Sequence, residues 1–243
     1  MRISHLVYPI VQPILRSLRR SPLLIRRIFD VRVPPDVAVQ YDPTTVLLAR
    51  TMRDLVAQNL SNRGSEPPLR LLEMGIGQGA LVSLSIAAQT RPEAVRIDGV
   101  DCSPSRVNSS REVARFNGYD AHFWQSDMFT DVASESQYDF IFFNPPYVPT
   151  QTGRELQLTQ RLEVDGDQMW DGGEDGADVL REFLRQSREY LSPGGCVVFG
   201  VQEIFLPDAL VRKTMEPFGY QRIERQKPRW LPSTVYIGYR PTP

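Results

Sequence analysis

The most constraining feature of this chain is a change of pattern near its first third. Leu69-Arg70-Leu71-Leu72-Glu73-Met74 runs straight into Gly75-Ile76-Gly77-Gln78-Gly79, and these glycines open onto the apolar stretch Ala80 to Thr90. A short apolar run stopped by glycines reads as a buried strand, and the stretch after it as a helix. A strand buried on both faces reaches a parallel neighbour through a helix laid back over the sheet, so this pattern opens a βαβ unit. The alternation then continues. Further strands are expected at Ala94 to Val100, His122 to Gln125, Tyr138 to Phe143 and Cys196 to Val201, with two closing strands at Tyr220 to Arg225 and Thr234 to Tyr239. Helices are expected at Tyr41 to Leu60, Ser103 to Asn117, Ala177 to Leu191 and Leu206 to Pro217. The pattern predicts an α/β fold, a doubly wound, mainly parallel seven-stranded sheet covered on both faces. Between Pro146 and Gly176 the text is polar and glycine-rich, and Val148 to Met169 is expected to be an irregular lid or substrate-selecting loop.

Residues 41–243 read as one domain and residues 1–40 as a short N-terminal helical arm. Leu6, Val7, Ile10, Val11, Ile14, Leu15 and Leu18 recur at helical intervals, with Arg16, Arg19, Arg20, Arg26 and Arg27 among and after them. The arm is expected to pack on the domain, the alternative being a basic amphipathic contact with a membrane surface, RNA or a partner. Pro9 and Pro13 interrupt it and no small-residue cleavage site closes it, which fits a signal peptide poorly. No apolar run approaches the roughly 18 residues of a membrane helix. With 28 Lys+Arg against 29 Asp+Glu, bulk electrostatic wrapping of nucleic acid is disfavoured. Cys102 and Cys196 form neither a disulfide framework nor a metal spacing, so the expected compartment is the cytoplasm. His5 and His122 are the only imidazoles, so no metal site is expected.

The glycine loop sits where a doubly wound sheet binds ligands, beside free N–H groups at a helix start. Gly75, Gly77 and Ala80 also satisfy the dinucleotide fingerprint, which leaves a nicotinamide oxidoreductase open. Three acids shift the balance. Glu73 is expected at the mouth of the first strand, where a carboxylate repels a pyrophosphate and attracts a sulfonium with its amino group. Asp101, about twenty residues past the glycines, suits the two ribose hydroxyls. Asp127 suits an adenine amino group, with Met128 or Phe129 packed on the ring. Together with Gly79 these residues point to S-adenosylmethionine as the cofactor.

Asn144-Pro145-Pro146-Tyr147 follows the apolar strand Phe140-Ile141-Phe142-Phe143, which places it on the same rim. A planar amide or aromatic amine is a poor nucleophile because its lone pair is delocalised. Acceptors on its N–H groups assist by stabilising charge as it develops. The Asn144 side-chain oxygen and the Pro145 carbonyl suit that task, and Tyr147 suits stacking on the planar group. The catalytic candidates are therefore Asn144, Pro145 and Tyr147.

Glu73 to Gly79, Asp101, Asp127 and Asn144 to Tyr147, in this order, resemble the class I S-adenosylmethionine-dependent methyltransferases of the amino-methylating N-P-P-Y branch. Trp170-Asp171-Gly172-Gly173-Glu174-Asp175-Gly176 resembles the G-G-x-D-G segment of the HemK-like protein-glutamine methyltransferases. The resemblance covers roughly Asp42 to Tyr239 and implies a Rossmann-like methyltransferase fold. It also implies Gly75, Gly77, Asp101 and Asp127 as cofactor residues, and Asn144 to Tyr147 as the methyl-acceptor site. Met1 to Gln40 is shorter than the helical N-terminal domain of the bacterial release-factor enzymes, and in this the chain is more similar to the shorter eukaryotic and archaeal members. The leading substrate is a protein glutamine side chain. The alternatives are adenine N6 or guanine N2 in DNA or RNA, and a cofactor-binding subunit that needs a partner for activity. Acidic Glu163, Asp165 and Asp167 beside the acceptor site disfavour a phosphate backbone there. Oligomeric state is left open.

Overall fold

Leu69–Met74 forms the first strand, β1. Leu69 and Leu71 join one apolar core while Leu72 and Met74 join another, the period of two that sends successive side chains to opposite faces. A strand buried on both faces is what a parallel sheet between two helical layers requires. The computed structural model describes residues 17–63, 66–162, 166–220, 222–229 and 231–241. Six further strands follow β1: β2 (Val95–Asp101), β3 (His122–Gln125), β4 (Tyr138–Phe143), β5 (Leu191–Gln202), β6 (Arg222–Gln226) and β7 (Ser233–Tyr239). They form one seven-stranded sheet in the order β3-β2-β1-β4-β5-β7-β6. β1 to β5 are parallel, and β7 runs antiparallel between β5 and β6. This is the mainly parallel, doubly wound α/β sheet that the sequence pattern predicts.

The helices are α1 (Pro22–Phe29), α2 (Pro43–Arg63), α3 (Leu81–Ala87), α4 (Pro104–Asn117), α5 (Thr150–Glu155), α6 (Leu158–Leu162), α7 (Asp178–Tyr190) and α8 (Asp208–Met215). The first four contribute to the core on one face of the sheet, and α7 and α8 to the core on the other. Asp42 starts α2: its Oδ1 accepts the Thr45 N–H at 2.6 Å and the Thr45 hydroxyl at 2.9 Å. Ile25 and Phe29 of α1 are fully buried in the same core as α2 and β1, which packs this helix on the domain, while Leu18 and Leu23 of the arm stay exposed. Arg20, Arg26 and Arg27 stay exposed. Leu6, Val7, Ile10, Val11, Ile14, Leu15 and Arg16 lie outside the described residues. No helix among the described residues is long and apolar enough to cross a membrane.

Three departures from the sequence reading have local causes. The stretch after β4 holds α5 and α6; helices of six and five residues are too short to show an amphipathic period. Ser192 to Gly195, which reads as a stop, lies inside β5. Its pairing with β4 jumps from Tyr138↔Leu191 to Phe140↔Cys196, so the Pro-Gly-Gly residues bulge out without ending the strand. α3 ends at Ala87 rather than Thr90, and the Gln89 N–H turns back to the Ile86 carbonyl in a tighter turn.

Candidate functional site

The strand order reverses between β1 and β4, the switch point at which open α/β sheets leave a crevice beyond their carboxyl ends. The register says what stands there. Met74 pairs with Val100 on one side and Phe143 on the other, so Gly75, Asp101 and Asn144 come out beside one another. Asp101 pairs with Gln125, which puts Asp127 next along the rim.

The glycine loop is held by its own backbone and by two buried side chains. Gly75, Gly77 and Gly79 all have positive φ, at 63°, 60° and 105°. A Cβ on Gly75 would stand 2.6 Å from the Phe143 ring, whereas one on Gly77 would meet nothing within 4 Å. Gly77 is thus the open side of the loop. Ser110 of α4 donates to the Gly77 carbonyl at 2.9 Å and accepts the Gly79 N–H at 2.9 Å.

Asp101 is 3% exposed, and both carboxylate oxygens are engaged. Oδ2 accepts the Gly77 N–H at 3.0 Å, and Oδ1 accepts the Ser103 N–H at 3.0 Å and Arg106 Nη1 at 3.3 Å. Its first task is therefore to join the end of β2 to the glycine loop. Oδ1 already receives two donors, whereas Oδ2 receives one, so the acceptor position that remains is on Oδ2.

Glu73 differs from the expected open carboxylate. It is 5% exposed and its Oε2 accepts the Ser83 N–H of α3 at 2.9 Å. Position 73 faces the α3 side of the sheet, and a helix start has free N–H groups to satisfy. Burial pushes its pKa up to about 8, so at neutral pH the group is mostly uncharged and braces the loop from beneath.

Asp127 is exposed, and Met128 beside it is half-buried in the left-handed region, with φ at 50°. Phe129 turns into the core and stacks on Tyr190 with ring centroids 4.7 Å apart. Of the two residues considered for an adenine ring, Met128 is the one on the rim.

At the end of β4, Asn144 Nδ2 donates to Thr45 Oγ1 at 3.2 Å. Asn144 Oδ1 is buried with no hydrogen-bond partner among the described residues. Pro145 is buried, and Tyr147 is 8% exposed. The Tyr147 hydroxyl lies 3.3 Å from Thr44 Oγ1, which in turn lies 2.9 Å from Ser233 Oγ. Its ring stacks on Phe205 at 6.5 Å, and burial raises its phenol far above the ordinary tyrosine range. Tyr147 therefore stands as a neutral wall, with little of its ring free for stacking on a substrate.

The glycine-rich segment after the loop packs directly on this element. A Cβ on Gly172 would lie 2.8 Å from Tyr147 Cα, and one on Gly176 would lie 2.7 Å from the Tyr147 carbonyl oxygen. The Val148 N–H donates to Trp170 O, and the Gly172 N–H to Val148 O, both at 2.9 Å. Trp170 is buried, and its indole N–H donates to Thr159 at 3.0 Å, which ties α5 and α6 down around the ring. Thr159 also donates to Asp167. Glu163 and Asp165 lie outside the described residues.

Thr44, Thr45 and Ser110 are absent from the residues that sequence reasoning singles out for the site. Asp42-Pro43-Thr44 is legible only as a helix start, and nothing local says that the two threonines face a strand end about a hundred residues later.

Residues 40–174 match the model of the methyltransferase small domain family. A Methanocaldococcus jannaschii protein with the provisional name protein N5-glutamine methyltransferase is 31% identical over 151 residues, 62% of this chain and 70% of that protein. The release factor glutamine methyltransferase of a Synechocystis species is 30% identical over 205 residues, 82% of this chain and 64% of that protein. The chain thus spans less than two thirds of that bacterial relative. Among solved structures, a methyltransferase from Pyrococcus furiosus superposes with a TM-score of 0.59 at 14% identity, over 96% of this chain and 98% of that one, a likeness of fold.

Proposed function

Because the chain belongs to the methyltransferase small domain family, we propose that it transfers the methyl group of S-adenosylmethionine to the side-chain nitrogen of a protein glutamine. The observation that carries the acceptor assignment is Asn144 Oδ1, a buried acceptor with no partner among the described residues, at the switch point beside the glycine loop. A buried amide oxygen left without a donor costs about 1–3 kcal/mol, so a site that keeps one is suited to a ligand that brings an N–H. The relatives named glutamine methyltransferases support the same acceptor.

The residues present fit the cofactor. Gly77 offers open backbone and Asp101 Oδ2 retains an acceptor position for a hydroxyl. Asp127 and Met128 on the neighbouring strand end supply an acceptor and an apolar surface. We assign Gly75, Gly77, Gly79, Asp101, Asp127 and Met128 to cofactor binding and Glu73 to support of the loop. S-adenosylmethionine supplies an electrophilic methyl group on a sulfonium. Asn144 Oδ1 and the Pro145 carbonyl accept the two N–H groups of the glutamine amide. They hold its nitrogen in place and stabilise the positive charge that grows on it. Pro145 has no N–H to compete for these acceptors. Tyr147, anchored through Thr44 and Ser233, closes the side of the pocket and keeps water from it.

The test uses methyl-tritiated S-adenosylmethionine, a recombinant release factor from the source organism, total lysate protein and total RNA. The expected result is label in protein, with peptide mass spectrometry placing one methyl on a glutamine. Label confined to RNA or to small molecules would overturn the assignment.

A further inference from the structure

Asp42, Thr45 and Asn144 form a chain whose direction is set by chemistry. A carboxylate has only acceptor positions, so at 2.9 Å the contact between Asp42 Oδ1 and Thr45 Oγ1 uses the one proton of the threonine hydroxyl. Thr45 Oγ1 is left with lone pairs alone. The atom of Asn144 that lies 3.2 Å from it must then be a donor, which is Nδ2, and Oδ1 is turned away. The reverse orientation of the amide would put two oxygens face to face with no proton between them. The backbone N–H of Thr45 also bonds to Asp42 Oδ1, at 2.6 Å, so the start of α2 fixes the position of the hydroxyl as well as its direction.

We propose that Thr45 is a positioning residue that sets the polarity of the acceptor site, holding Asn144 so that it offers the methyl acceptor an oxygen and never an N–H. This rests on the reading of Asn144 as the residue that binds the substrate nitrogen. Its consequence is selectivity: a primary amide brings the N–H that Oδ1 needs, whereas a carboxylate in the same position brings a second acceptor. Glutamine is taken and glutamate is refused. Without Thr45 the amide is free to turn over, and half of its orientations present the wrong pole.

Thr45→Val keeps the volume and the backbone N–H to Asp42 but removes the hydroxyl, while Thr45→Ser keeps the hydroxyl. With the full chain and a recombinant release factor, Thr45→Val is expected to lower kcat at least tenfold. Affinity for S-adenosylhomocysteine by calorimetry should stay within twofold, and Thr45→Ser should restore kcat to within threefold of the parent. A second measurement needs no substrate. The side-chain amide resonances of Asn144, read by nitrogen-15 NMR, should shift in Thr45→Val and stay near the parental position in Thr45→Ser. Parental kcat in Thr45→Val would overturn the proposal, as would a loss that serine does not rescue or an unmoved Asn144 signal. If the parental protein methylates no glutamine, the functional reading fails on its own, and the NMR comparison still judges whether Thr45 orients Asn144.

Discussion

The ends of β1 and β2 and the end of β4 lie side by side on one rim, yet their polar groups are treated differently. At β1 and β2 the loop and its acids are bonded to one another: Asp101 holds Gly77, Ser103 and Arg106, Glu73 holds the Ser83 N–H, and Ser110 holds both Gly77 and Gly79. At β4 one face of Asn144 is fastened to Thr45 while its oxygen has no partner among the described residues. A loop closed by its own hydrogen bonds arrives at its ligand already shaped and loses little entropy on binding. A buried acceptor without a donor favours a ligand that carries one. On the proposed function, the difference separates a half that holds the cofactor from a half that acts on the acceptor.

The sharpest way to break this comparison is Asn144→Ala. If the β4 end acts on the substrate alone, kcat should fall on the order of a hundredfold or more, about 2.7–4 kcal/mol, with unchanged affinity for S-adenosylhomocysteine by calorimetry. Asn144→Asp should also turn over poorly while keeping or raising cofactor affinity, since its added charge can pair with the sulfonium in the ground state. A parental rate in Asn144→Ala would erase the distinction between the two halves.

The glycine loop yields a paired test of how tightly its half is preformed. Gly75→Ala suffers both a left-handed φ and a Cβ at 2.6 Å from Phe143, and should lose about 2–4 kcal/mol of stability in urea titration. Gly77→Ala has the same sign of φ but open space, and should lose only about 1 kcal/mol. Equal losses would mean that the Phe143 contact gives way easily.

Asp101→Ala should weaken binding of S-adenosylhomocysteine by about 1.5–3 kcal/mol. Because the carboxylate also bonds Gly77 and Ser103, the same variant should melt earlier than the parent in thermal circular dichroism. Unchanged affinity together with a lowered melting temperature would confine Asp101 to bracing.

The last effect expected is a pH dependence. In the folded protein Glu73 keeps its proton up to about pH 8, whereas in the unfolded chain it loses it near the ordinary value of 4.5. The unfolded state is favoured as pH climbs through that window, so this group removes stability between about pH 4.5 and 8. Glu73→Gln keeps an acceptor for the Ser83 N–H and carries no charge. It should exceed the parent at pH 8 and lose most of the advantage at pH 5, in urea titrations at each pH. A parent whose stability does not decline over that range would mean that Glu73 is ionised in the fold.

What the sequence determined by itself was the sheet and the identity of the rim. Apolar runs such as Leu69 to Met74 and Phe140 to Phe143 can bury two faces only between helical layers, and short motifs at strand ends are read from neighbouring residues. Direction was left to the tertiary structure. Glu73 turned beneath α3 because a helix start there needed an acceptor, and Tyr147 became a wall because Thr44, Ser233 and Phe205 closed around it. The short helices after β4 were hidden because their stability comes from packing on Trp170 rather than from an apolar stripe of their own. The bond between Thr45 and Asn144 spans 99 positions. A hydrogen bond of that reach leaves no periodicity and no local motif, so only the packed chain could decide which end of the Asn144 amide faces outward.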